Sequence, residues 1–219
     1  MELSKQRPFP ETLEADVGLL SQRILGSLVP CRRFILGVCG APGAGKSTLA
    51  EQLAAKLGSD TAVVVPMDGF HLGHEVIKDS PKLERKGAID TFDIGGFHSL
   101  LQRLRSRNEE VVYAPAYRRG LEEPIAASIA VPRSVPVVIT EGNYLLAPVP
   151  QWQDARALLD EVWYLEIPHE VRVARLIDRH VHFGKARSKA LEWVHGSDES
   201  NADFIRTTME SADLIIRFA

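Results

Sequence analysis

The stretch RFILGVCGAPGAGKSTLAEQLAAKL, Arg33 to Leu57, sets two apolar runs on either side of a loop crowded with glycine, and puts a charged Lys46 inside that loop. Phe34 to Cys39 is short and almost continuously apolar, as a strand buried on both faces of a parallel sheet must be. Leu49, Leu53 and Leu57 recur every four residues, which predicts a helix, and Gly58 supplies its stop. The reading is strand, glycine loop, helix.

Gly40 to Ser47 fits G-x-x-x-x-G-K-[ST], the P-loop. Glycines let successive backbone N–H groups turn inward without a Cβ in the way, forming a concave anion nest. The helix that follows points its positive end at the same place. Gly40, Gly43, Ala44, Gly45, Lys46, Ser47 and Thr48 are therefore expected to hold the phosphates of ATP. Lys46 reaches the β- and γ-phosphates, and the Ser47 hydroxyl ligates Mg²⁺.

The same rhythm runs outward from this unit. Leu13, Val17, Leu20, Ile24 and Leu28 share one helical face, predicting a helix over about 11–28. Strands are expected at Ala62–Pro66, Val135–Thr140, Val162–Ile167 and Leu214–Phe218, with helices through Phe97–Leu104 and from His169. Alternating strands and helices predict an α/β fold: a central parallel sheet with helices on both faces, in three layers. One domain is expected, with a core over 33–219 and a small helical lid over about 172–190. The segments 73–92 and 113–136 are the least regular and read as substrate loops.

Composition sets bounds on function. The 219 residues are 45% hydrophobic and 25% charged, with a net charge of −3, so a nucleic-acid or membrane-surface partner is not expected. No apolar run reaches membrane-spanning length, and the start, MELSKQRPFPETLEAD, turns acidic where a signal peptide is apolar. If 35–39 is a strand, at about 3.3 Å per residue, Cys31 and Cys39 lie too far apart to bridge. Reduced thiols and a cytoplasmic location are the expectation.

Asp68 and Glu141 each fall at a strand end, each just before a glycine. Ligands of open parallel sheets sit beyond those ends. One carboxylate there can position Mg²⁺, and the other can accept the proton of an attacking hydroxyl. The competing reading of each is a turn-forming Asp-Gly or Glu-Gly pair.

VPMDGFHL at 65–72 resembles the D-[SG]-F-[HY] signature of the uridine kinase, phosphoribulokinase and type I pantothenate kinase superfamily. DTFD at 90–93, PAYRRG at 115–120 and ITEGNYLL at 139–146 resemble its later motifs in the same order. The chain is also similar to bacterial nucleoside/nucleotide-kinase-like proteins labelled as fructose transport system kinases. The resemblance implies that Asp68 is the base, that Glu141 is the metal-associated acid and that Asp93 holds substrate hydroxyls. It implies that His71, Phe92, Tyr117, Arg119 and Tyr144 face the acceptor. Asp93 reads equally as the N-cap of the next helix, and Tyr117 as half-buried packing. Glu122 stands where uridine kinases carry a histidine, and Arg118 where they carry an acid, so the acceptor is expected to be smaller or more anionic than a pyrimidine nucleoside. Arg85, Arg118 and Arg119 either serve such an acceptor or form a solvated patch.

Arg172, Arg175 and Arg179 recur at helical spacing. The resemblance places them in a lid that closes over the phosphates. Arg175 and Arg179 are read as catalytic cations for the γ-phosphoryl transition state, and Arg172 as an ordinary exposed helix face. The histidines of HLGH (71–74) and HVH (180–182) lack the further ligands that complete a zinc motif. The expected activity is transfer of the γ-phosphate of Mg·ATP to a hydroxyl of a small molecule such as a sugar, nucleoside or pantothenate-like alcohol. A P-loop switch or sensor is the alternative: Asp93-Ile-Gly-Gly96 fits D-x-x-G, but no N-K-x-D guanine motif exists in the chain. A homodimer stays open.

Overall fold

The structure is a computed structural model describing residues 10–14 and 16–217. Most of the acidic start, and Phe218 in the last expected strand, lie outside the described residues. In chain order the strands are β1 (Glu11–Glu14), β2 (Phe34–Cys39), β3 (Ala62–Val64), β4 (Val111–Arg118), β5 (Glu123–Pro132), β6 (Val137–Gly142), β7 (Glu161–Glu166) and β8 (Leu214–Arg217). The helices are α1 (Val17–Gly26), α2 (Lys46–Leu57), α3 (His74–Ile77), α4 (Ile94–Ser106), α5 (Pro150–Arg156), α6 (His169–His182), α7 (Arg187–Trp193) and α8 (Glu199–Arg206). A π-helical turn, Val194–Asp198, joins α7 to α8.

Six strands make one parallel sheet in the order β1-β8-β7-β2-β6-β3. Every residue of β2 and β6 is buried, as central parallel strands require. Alternate side chains then divide between two cores. Leu36 and Val38 meet α1 and α2 through Leu20, Ile24, Leu49 and Leu53. Ile35 and Cys39 meet the other layer, with Phe97 and Leu101 of α4, Trp152 of α5 and Ile205 of α8. The outcome is the expected three-layer α/β architecture. Among the described residues no helix is long and apolar enough to cross a membrane.

Two expectations need correction. Residues 11–28 do not form one helix. Glu11–Glu14 is an edge strand paired in parallel with β8, and Leu13 packs from that strand. Asp16 ends the strand and starts α1, its carboxylate accepting from the Gly18 and Leu19 N–H groups. The irregular-looking segment 113–136 is mostly an antiparallel hairpin of β4 and β5, with a bulge between Ala114 and Ala116. The bulge accommodates Pro115, which has no N–H for the ladder. Segment 73–92 is short turns: α3 and two 3₁₀ pieces, Leu83–Arg85 and Ile89–Thr91.

One buried cation locks the layers. Arg33 is 1% exposed and donates to the carbonyls of Leu104 (2.9 Å), Pro132 (2.7 Å) and Val135 (3.0 Å). It thereby ties α4, the hairpin exit and the start of β2 together. Burial pulls its guanidinium down to about 10, with Arg107 adding to the effect. Arg33→Met leaves three carbonyls without a donor. At about 1–3 kcal/mol per stranded buried group, with some relief from water, the expected loss is about 3 kcal/mol. In a chain of this size that is roughly 6–12 °C in thermal midpoint, read by circular dichroism. An unchanged midpoint would show that the carbonyls find other donors.

Candidate active site

The phosphate loop keeps its shape because of what lies behind it. Gly43 has φ +80°, and a Cβ there would come within 2.7 Å of Leu176 Cγ and 2.9 Å of the Arg172 carbonyl. Only glycine meets both the backbone conformation and the close approach of α6. Gly45, also left-handed at φ +96°, caps α2. Lys46 is the first helical residue, buried, with Nζ donating to the Ala41 carbonyl at 3.1 Å. Burial holds its pKa below the usual lysine value, against the pull of Glu141.

Strand register delivers the acids. In the β2–β6 pairing Val38 lies opposite Glu141 and Cys39 opposite Gly142, so Glu141 emerges beside the mouth of the loop. Glu141 is 4% exposed and accepts from Ser47 Oγ at 3.0 Å. Burial and the neighbouring Asp68 push its carboxyl up to about 7, while Lys46 and Ser47 oppose them. Asp68 sits in the 3₁₀ turn Met67–Phe70 after β3. The next residue must be small: a Cβ at Gly69 would lie 2.4 Å from the Pro115 carbonyl. Gly69 thus lets the hairpin close behind the acid, a packing role rather than the turn role that Asp-Gly suggests in sequence. The Arg119 guanidinium, on the hairpin, lies 3.5 Å from the Asp68 carboxylate.

Lys46, Ser47, Asp68 and Glu141 line one end of a cavity of about 320 Å³. The other end is a stack of rings. His71 lies between Phe92 (4.1 Å between centroids) and Tyr117 (4.7 Å). Its Nδ1 donates to the Asp68 carbonyl at 2.8 Å, and burial lowers its pKa, so Nε2 is left as an acceptor. Tyr117 donates to Glu122 at 3.0 Å, which fixes the ring. Arg119 and Arg179 line this cavity and an adjoining one of about 280 Å³ over Gly45, Ser47 and Thr48, where Arg175 also stands.

Several expected positions lie elsewhere. Asp93 does not line the cavity; its carboxylate caps α4, accepting from Gly96 N–H at 2.8 Å. Tyr144 is 1% exposed and stands one layer behind Phe92, donating to the Gly87 carbonyl at 2.7 Å. Ala44 stays within the loop, with its side chain buried. Arg172 is not on an exposed face: it is 3% exposed and bonds both the Pro42 carbonyl and the Glu199 carboxylate, clamping loop, α6 and α8 together. Arg85 pairs with Asp90 at the surface. Lys86 and Trp193, which carry no sequence signal, also line the cavity, as do Lys185 beside Gly184 and His180 of the HVH run, the latter paired with Asp198 at 2.8 Å from Nε2 to the carboxylate. They come from the turn segment before Phe92 and from the stretch between the end of α6 and the start of α8, where no periodicity marks them.

Comparison with known proteins places these features in a family. Residues 35–219 match the Phosphoribulokinase / Uridine kinase family, and the chain belongs to it. A Schizosaccharomyces pombe protein described as "putative uridine kinase" is 34% identical over 196 residues, covering 85% of this chain and 83% of that one. A pantothenate kinase of Mesorhizobium japonicum is 32% identical over 127 residues, covering 56% of this chain and 40% of its own. The crystal structure of a "putative fructose transport system kinase" from Silicibacter sp. TM1040 superposes with TM-score 0.81 at 37% identity, covering 92% of this chain and 98% of that one.

The raised Glu141 pKa carries a pH signature in the metal-free protein. Folded, the carboxyl binds a proton up to about pH 7; unfolded, it releases it near its ordinary 4.5. Stability therefore falls as pH rises from about 4.5 to 7, then levels off. Glu141→Gln should remove this slope, worth on the order of 2–3 kcal/mol, in urea melts at pH 5 and 8 with chelator present. Parallel pH profiles for the two proteins would refute it.

Proposed function

We propose that this member of the Phosphoribulokinase / Uridine kinase family transfers the γ-phosphate of ATP to a hydroxyl of a small molecule, with Asp68 as the base. The observation that carries the reading is the position of Asp68. It shares one cavity with Lys46, Ser47 and Glu141 on one side and with the His71–Phe92–Tyr117 stack on the other. A hydroxyl held against the rings lies between the base and the phosphate loop.

The P-loop amides and Lys46 grip the phosphates. Asp68 orients the acceptor hydroxyl and takes its proton as the alcohol oxygen bonds to the γ-phosphorus and the bond to the ADP oxygen breaks. Arg175 and Arg179 reach the side where charge spreads over the transferring group, and Arg119 sits between that side and Asp68. Their contribution is electrostatic and positional, which is most of what phosphoryl transfer needs. The donors near Ser47 suit Mg²⁺, being a hydroxyl and one or two carboxylates, with the remaining ligands left to phosphates and water. Ser47 and Glu141, with Asp68 beside them, would hold the ion, which when bound neutralises phosphate charge. A cytoplasmic location, where ATP is abundant, goes with this reading.

Asp68→Asn should lower acceptor-dependent turnover by about 10²–10⁴ while leaving the ATP dissociation constant within a few-fold. A coupled ADP-release assay over sugars, nucleosides and pantothenate, with ATP binding by calorimetry, reads both. ATP binding with no acceptor-dependent ADP release would favour the switch or sensor reading, and full activity of the variant would displace Asp68 as the base.

A further inference from the structure

The cavity is also lined by two lysines to which the reading above gives no role. Lys86 comes from the turn segment before Phe92, and Lys185 follows Gly184 at the end of α6. Both line the cavity. Among the described residues neither forms an ion pair with a carboxylate. Aromatic faces and a carbonyl hold them instead. Lys86 Nζ lies 5.6 Å from the Tyr117 ring centroid and donates to the Glu122 carbonyl. Lys185 Nζ lies 4.7 Å from the Trp193 ring centroid. A cation over a ring keeps most of its charge available to another partner, because the ring offers a quadrupole and not a neutralising charge. Arg119 adds a third positive group whose contact with Asp68, at 3.5 Å, is loose.

The carboxylates facing these lysines are already engaged. Glu122 accepts from Tyr117 Oη and from the Gly120 N–H, and Asp198 from His180. Both are bonded to other donors; Glu122 feels the charge of Lys185 but forms no ion pair with it, and neither ammonium has a carboxylate in contact among the described residues. The chain as a whole carries −3, so this concentration of positive charge is local to one end of one cavity.

We propose that Lys86 and Lys185 form an anion subsite, and that the phosphate acceptor is a small hydroxy compound carrying a carboxylate or phosphate group. Its hydroxyl lies at Asp68 and its anionic end between the two lysines. The proposal rests on the kinase reading above and narrows it. An uncharged nucleoside or sugar makes no ion pair with either ammonium group. An acid group gains charge-assisted hydrogen bonds from both. The cavity, about 320 Å³, limits the acceptor to a compact molecule.

The test uses matched acceptors in the coupled ADP-release assay: glycerate against glycerol, gluconate against sorbitol, pantothenate against panthenol, and fructose 6-phosphate against fructose. Turnover is expected with anionic members and not with their uncharged partners, and the carboxylate and phosphate arms identify which acid group the site takes. Lys86→Met and Lys185→Met should each raise the acceptor KM at least 10-fold, with the ATP KM changed less than 2-fold. Trp193 gives a readout independent of turnover. Trp152 and Trp163 are buried at 3% and 0% exposure, whereas Trp193 is half-buried under Lys185. Titration with the active acid should change tryptophan emission in the parent and not in Trp193→Phe. ADP release with uncharged members at equal efficiency, or unchanged KM in both lysine variants, overturns the anion subsite and leaves the kinase reading in place. No acceptor-dependent release from any member, with ATP binding intact and emission unchanged, overturns both.

Discussion

The site depends on placing one ammonium and two carboxylates at the carboxyl edge of a buried sheet. Lys46 is 8% exposed and Glu141 4% exposed, at positions where an isolated charge is costly. Neither stands alone. Lys46 feels Glu141 and Asp68, and Glu141 feels Lys46 and takes the Ser47 hydroxyl. The cluster is only partly balanced: burial dominates the shift of both groups and moves each toward its neutral form. Such a site is poised to gain when a polyanion and its cation arrive together, because both charged forms are then stabilised. Backbone register produces this. Val38 opposite Glu141 is a statement about β2 and β6, and no side-chain rearrangement can undo it.

Helix α6 is joined to the loop by the same economy of buried charge. Arg172 bonds a P-loop carbonyl and the Glu199 carboxylate, and Leu176 fills the space a Cβ on Gly43 would take. Helix α6 is therefore part of the wall of the phosphate loop and not a flap attached to it. Arg179, two turns beyond Arg172, is carried into both cavities by that anchorage, with Arg175 between them on the donor side. The three arginines look equivalent in sequence, yet one holds the helix down and two line the cavity over Gly45, Ser47 and Thr48. Burial separates them, since Arg172 is 3% exposed whereas Arg175 is exposed.

Much of this was legible in sequence where periodicity and packing agree. The strand, glycine loop and helix over 34–57 follow from an apolar run, a glycine pattern and a leucine repeat, and the structure forms them at β2 and α2. The parallel sheet followed from repetition of that unit. The first element misled because Leu13 continues a helical stripe by coincidence, while its backbone pairs with β8, some two hundred residues away, which no local pattern encodes. The hairpin was hidden by Pro115, which reads as a breaker and is absorbed by a bulge. Asp93 shows a limit of another kind. Capping and substrate holding ask for the same residue type at the same place, and only the 2.8 Å bond from Gly96 N–H separates what it does from what it resembles.

The departures from the uridine kinase pattern fall together in space, and that grouping is itself informative. Glu122 replaces a base-reading histidine, and its carboxylate now holds Tyr117 by the hydroxyl. The same residue's carbonyl takes Lys86, whose ammonium rests by the Tyr117 ring. Across the cavity, Lys185 is supported by Trp193, on an element outside the sequence motifs. Lys86, Arg119 and Lys185 come from three separate segments to line the same cavity. Positive charge at 86, 119 and 185, converging on one cavity from separate segments, is more economically explained by a ligand carrying the opposite sign than by three unrelated surface choices.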